Sequence, residues 1–292
     1  MTDTAPPAVA VEHQVAAPHG TLHVTEHLGE GPPVVLTHGY PDDARSHDRL
    51  VAELSSRHVV TFDFLGHGRS GRGAVGPLEI GQREGELAAV IDALGLEDVV
   101  LVGHDAGGPV VVDYALTHRT RVSRLVLLNT YYGNAPTLEF PELIRMLADR
   151  HYTSLMDELL ADQTVLGWFL FYIDRGLNDG ANTPDGIGGT SILPQFFGDA
   201  GQPDAVAAIR AWTADLFPGL RRQDARIAAG DLATLDVPVA LAFGIGDPYL
   251  NVGVGRHLQS LVPGAQLHEI AGAAHWPQWD QPAAVASIIT AR

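Results

Sequence analysis

The sequence predicts an α/β fold: a mostly parallel sheet of about eight strands, flanked by helices, with a helical segment inserted late in the chain. Three observations carry that expectation. Short apolar runs rich in valine and leucine alternate with longer stretches of helical period. Several runs are apolar residue after residue, as strands covered on both faces must be. The alternation stops at Thr130 and resumes at Val239, and aromatic residues collect in between.

Taken in order, Met1–Ala10 is rich in Pro and Ala and predicts a frayed end. Glu12–Val15 and Thr21–Leu28 read as strands joined by a turn at Pro18-His19-Gly20. After the turn Gly29–Pro33 comes the strand Val34–His38. Ser46–Leu54 has helical spacing, with Leu50, Val51 and Leu54 on one face. The strand Val59–Phe64 leads into the glycine-rich loop Gly66–Gly71, which lacks the Gly-Lys-Ser/Thr ending of a phosphate loop. The helix Gln82–Leu94 stops at Gly95. Next come the strand Val99–Gly103, the helix Pro109–His118 and the strand Leu125–Asn129. Within the insertion, Glu142–Arg150, Thr153–Tyr172 and Ala205–Leu216 read as helices, and Asn178–Gly189 as a loop. The strand Val239–Phe243, helix Val254–Leu261, strand Gln266–Ile270 and helix Ala283–Thr290 complete the pattern. The expected division is a core of residues 1–129 and 232–292 and a helical cap of residues 130–231.

Composition narrows the function classes. The 292 residues suit one large domain with an insertion. The net charge of −17 disfavours nucleic acid and anionic membranes, which need basic patches. No apolar run reaches the ~18 residues of a membrane helix, and residues 1–11 lack the pattern of a secretion signal. The absence of Cys excludes disulfides, thiolate metal sites and a thiol nucleophile. No His-Glu-x-x-His pair suggests a metal. The expectation is a cytoplasmic enzyme, monomer or homodimer, without cofactor, acting on a small molecule.

Three loops at predicted carboxyl ends of strands hold the reactive side chains, where open α/β sheets place their sites. Gly103-His104-Asp105-Ala106-Gly107-Gly108 has the form of a nucleophile elbow, with Asp105 where Ser is usual. The alternative reading of Asp105 is a helix cap. Asp247 follows Val239–Phe243, and His275 follows Gln266–Ile270. A carboxylate nucleophile needs no base to activate it, and it would form an ester with a carbon bearing a leaving group. His275 would then activate water, with Asp247 orienting the imidazole. The backbone N–H groups of Tyr40 and Ala106 are the candidate oxyanion donors. Carboxylate attack on a carboxylic ester would give a costly anhydride, so this elbow points away from esterases and towards displacement at saturated carbon.

With these residues the chain resembles the α/β-hydrolase superfamily, and within it epoxide hydrolases and haloalkane dehalogenases. The elbow, His38-Gly39-Tyr40-Pro41, Asp63–Ser70 and His275–Pro282 carry the resemblance, which runs nearly the whole length. It implies an α/β-hydrolase fold and a covalent alkyl-enzyme ester on Asp105. The departures bear on substrate. Ala106 stands where dehalogenases carry a halide-binding Trp, and Tyr40 where many carry Asn. No Arg follows the elbow to grip a haloacid carboxylate. Epoxide hydrolases protonate the ring oxygen from lid tyrosines, and Thr213 stands where one is expected. Tyr172 is therefore the first candidate donor, with Trp168, Trp212, Tyr131 and Tyr132 as further pocket or lid residues. The resulting expectation is an epoxide hydrolase for an apolar, aromatic or polycyclic substrate. The alternatives are a haloalkane dehalogenase, a biosynthetic ring opening or rearrangement, and a ligand-binding protein without chemistry.

Overall fold

The computed structural model describes residues 9–71, 81–162, 164, 165, 168, 177 and 203–291. Eight strands form one sheet: β1 Ala10–Ala17, β2 Gly20–His27, β3 Glu30–Thr37, β4 Arg57–Phe62, β5 Val99–Asp105, β6 Val122–Thr130, β7 Val239–Gly244 and β8 Gln266–Ile270. Their order is β1-β2-β4-β3-β5-β6-β7-β8. The first two strands pair antiparallel, as does β2 with β4, and every later neighbour is parallel. The helices are α1 Asp48–Glu53, α2 Gln82–Ala93, α3 Gly107–Thr117, α4 Glu142–Ala148, α5 Thr153–Ala161, α6 Pro203–Ala229, α7 Val252–Leu261, α8 Pro277–Asp280 and α9 Pro282–Thr290.

The apolar strand runs have the predicted cause. On β3 and β5, Val35, Val99 and Leu101 enter one hydrophobic cluster, while Val34, Leu36, Val100 and Val102 enter the other. Both faces are covered, so alternation in the sequence would be of no use. Each such aliphatic side chain contributes roughly 1.5–3 kcal/mol on full burial.

The structure moves several predicted boundaries. The third strand begins at Glu30, within the expected turn, because Glu30 pairs with Arg57 before an irregularity restores register at Val34. The fourth ends at Phe62 rather than Phe64. The helix expected over Ser46–Leu54 is a 3-10 turn, Ala44–His47, followed by α1. The helix expected to stop at Leu216 instead runs on through Pro218 to Ala229. Its buried Leu216, Leu220 and Gln223 continue the inward face past the proline. Packing thus offsets the roughly 3 kcal/mol that an interior proline costs. Helix α4 packs on α6, and Ile144 of the first with Trp212, Thr213 and Leu216 of the second lie beside the elbow residue Asp105. No helix among the described residues is long and apolar enough to cross a membrane.

Candidate active site

Strand β5 delivers Asp105 at its last residue, and the turn into α3 forces an unusual backbone. Asp105 sits at φ +45°, in the left-handed region that side-chain-bearing residues rarely adopt. The glycines around it are there for space. A Cβ on Gly108 would run into the Thr130 hydroxyl, and one on Gly39 would lie 2.6 Å from the Asp105 Cβ. Thr130 Oγ1 donates to the Asp105 carbonyl at 2.5 Å and pins the turn. Asp105 does not cap the following helix, whose N-terminus receives no side-chain hydrogen bond. Its Oδ2 instead accepts the N–H of Tyr40 at 2.9 Å.

The second and third loops meet. His275 Nδ1 donates to Asp247 Oδ2 at 2.8 Å, and both residues are buried. Every acceptor position of Asp247 is used. Oδ1 takes the N–H groups of Tyr249 (2.9 Å) and Leu250 (3.1 Å), and Oδ2 also takes Asn129 Nδ2 (3.0 Å). Burial favours the neutral acid, yet His275 and these donors together hold Asp247 below the usual carboxylate range. Burial likewise opposes charge on His275. Asp247, then Asp105 and Asp42, outweigh it and raise the imidazole to about 9. For Asp105 burial wins and its carboxyl is pushed up, against the pull of His275, His104 and the Tyr40 N–H.

Sequence reasoning missed one carboxylate. Asp42, buried in the loop after β3, accepts Trp276 Nε1 at 2.8 Å and lies 3.4 Å from His104 Nδ1. His104 Nε2 in turn donates to the His275 carbonyl at 2.7 Å. Asp42 was hidden because an acidic pair after Pro41 reads as an ordinary polar turn. Asn129, at the end of its strand, carries no charge and no motif marks it. It proves to be a three-way donor to Gly244, Asp247 and Leu250, and it accepts from Gly244 N–H at 2.7 Å.

A cavity opens above Asp105 and His275. Its wall includes Tyr40, Ala106, Tyr131, Phe140, Leu177, Trp212, Thr213, Leu216, Tyr249 and Trp276. Tyr131 is buried, and its ring meets Phe140 edge-on at 5.4 Å. Trp212 is wedged among Phe64, His67 and Tyr40, with the Arg83 guanidinium 4.5 Å over its ring. Thr213 spends its hydroxyl on the carbonyls of Ile209 and Arg210. Two expected pocket residues stand elsewhere. Trp168 is 65% exposed and lines no part of the cavity. Tyr132 is turned to Asp113, to which its hydroxyl donates at 2.6 Å. Helical period alone could not distinguish the faces of these segments. Tyr172 lies outside the described residues. Among the described residues, no group of three or more His, Asp or Glu could hold a metal ion.

The sequence profile of the alpha/beta hydrolase family matches residues 34–288. The chain belongs to this family. This alpha/beta hydrolase is 27% identical to haloalkane dehalogenase 2 of Mycobacterium tuberculosis, over 94% of its own length and 91% of the relative's. Its fold is similar to an esterase of Thermogutta terrifontis, with a TM-score of 0.74 at 22% identity, covering 97% of each chain. It is equally similar to the epoxide hydrolase CorEH, with a TM-score of 0.73 at 19% identity, covering 96% of this chain and 97% of that one. An esterase and an epoxide hydrolase matching equally well means that the fold does not select the reaction. The residues of the site must.

Proposed function

We propose that this α/β-hydrolase opens an epoxide through an alkyl ester on Asp105. The observation that supports it best is the carboxylate at the elbow apex, held by the Tyr40 N–H, sharing its cavity with the Tyr131 side chain and with His275, whose Nδ1 is bound to buried Asp247. Oδ2 is occupied by Tyr40, so Oδ1 is the oxygen that attacks the epoxide carbon. The C–O bond breaks and the ring oxygen takes a proton from a tyrosine. Tyr131 is the better placed donor, since Tyr40 directs its hydroxyl to the Ile209 carbonyl at 3.4 Å. Burial and the Asp105 charge hold Tyr131 protonated far above neutral pH, so its proton is present when the alkoxide forms.

The ester changes the charge of the site. Asp105 is one of the three carboxylates that raise His275. Esterification removes that charge, so the imidazole loses part of its hold on a proton and becomes a base. It takes a proton from water, and the hydroxide attacks the ester carbonyl carbon. The resulting oxyanion is Oδ2, already held by Tyr40 N–H, with Ala106 N–H as the second donor. On collapse the leaving alkoxide takes the proton held by His275, the new carboxylic acid returns a proton to the Tyr131 phenolate, and the diol leaves with one water oxygen in the Asp105 carboxylate. We assign residues 130–231 as the helical cap that covers this reaction and excludes bulk water.

A single turnover in ¹⁸O-water with excess enzyme and styrene oxide tests the reading. Label is expected in the Asp105 peptide and little in the first diol. Label confined to the diol would overturn it. His275→Gln should accumulate the ester, visible as the added mass of the substrate on that peptide. The dehalogenase reading rests on the 27% identity to haloalkane dehalogenase 2. Halide release from a chloro- or bromoalkane panel would favour it.

A further inference from the structure

The mouth of the cavity over Asp105 combines two features that the proposed reaction does not use. The first is a carboxylate outside the catalytic set. Among the described residues Glu139 is the second carboxyl, beside Asp105, that lines the cavity; it is exposed at the mouth and makes no ion pair among them. Its backbone N–H donates to the Tyr249 carbonyl at 3.3 Å, so the acid and the Tyr249 segment are neighbours. Glu142 also acts on the Tyr249 hydroxyl. Among the described residues, His275 is the one basic side chain that lines the cavity. The second property is the wall itself. Tyr40, Phe140, Tyr131, Trp212, Tyr249 and Trp276 offer six aromatic rings.

Aromatic faces attract cations, most strongly where water is excluded. The net charge of −17 raises the local concentration of cations and repels anions. We propose that the substrate carries a cationic ammonium group on an apolar body, and that Glu139, Phe140 and Tyr249 receive that group at the cavity mouth while the reacting carbon faces Asp105. The inference rests on the reaction cavity identified above but not on the leaving group.

Binding to the full chain separates the two. Calorimetric titration with phenyltrimethylammonium, its neutral carbon isostere tert-butylbenzene and the anion benzenesulfonate needs no turnover. The ammonium ion should bind about five-fold tighter than tert-butylbenzene, and benzenesulfonate weakest. The preference should shrink between 10 mM and 0.5 M salt. Glu139→Gln, an exposed position that the fold tolerates, should cut it about two-fold. Equal or tighter binding of tert-butylbenzene, or no binding of any probe, overturns the proposal. Turnover of glycidyltrimethylammonium against its isostere 4,4-dimethyl-1,2-epoxypentane then tests the reaction. A retained binding preference with neither epoxide opened leaves the cation subsite standing and removes the epoxide reading.

Discussion

Asp247→Asn is the most demanding test of the site's electrostatics. The carboxylate accepts from two backbone N–H groups on Oδ1 and from His275 and Asn129 on Oδ2. An amide must place its NH₂ where one of those oxygens was. Either orientation aims a donor at two donors, in a buried site. The cost of breaking such a pair is about 3–5 kcal/mol. The raised imidazole gives a similar figure from a second direction. Raising His275 from 6.5 to about 9 corresponds to roughly 3 kcal/mol of stabilisation. Because the folded value lies above the unfolded one, that stability is fully present below pH 6.5 and is lost as pH rises through 9. Asp247 is depressed, so its own share is present above pH 3.8 and is lost as pH falls through its lowered value. The difference between wild type and variant should therefore peak near pH 5–6, at about 3 kcal/mol, and narrow towards pH 9–10. In a chain of this size that is roughly 6 °C in melting temperature. Calorimetric melts at pH 5.5 and 9.5, with NMR titration of the ¹⁵N-labelled imidazole, measure both. A variant within about 1 kcal/mol of wild type at pH 5.5, with His275 still titrating near 9, would refute the account.

Asn129→Asp puts a carboxylate against the carbonyls of Gly244 and Leu250 and the carboxylate of Asp247, all of which accept from it now. We predict about 3 kcal/mol or more of destabilisation by urea unfolding at pH 7, easing at lower pH as the acid protonates. Tyr131→Phe should slow epoxide opening about 10- to 100-fold in single-turnover kinetics, with ester hydrolysis little changed. Unaltered opening would move the proton donor elsewhere.

Some of the site was visible in the sequence because it is local. A left-handed turn between a buried strand and a helix needs glycines at fixed offsets, and Gly103, Gly107 and Gly108 announce it around Asp105. Asp247 and His275 were placed by the strand ends before them. Asn129, Asp42 and the N–H groups of Tyr249 and Leu250 had no such signature. Their partners lie 118, 62 and a few residues away, and only the folded chain brings them to the His–Asp pair. Trp168 and Trp212 show the same limit within one insertion. Both are aromatic residues in helical segments, yet one is on the surface and the other lines the cavity.

By itself the sequence determined the parallel core, its strand order along the chain and a carboxylate at the elbow, because hydrophobic period and turn sterics act between near neighbours. The tertiary structure decided the rest. It set which side chains hold the His–Asp pair, which aromatic rings wall the cavity, and how much negative charge gathers there. Those depend on burial and on distances between residues far apart in the chain, and only packing sets them.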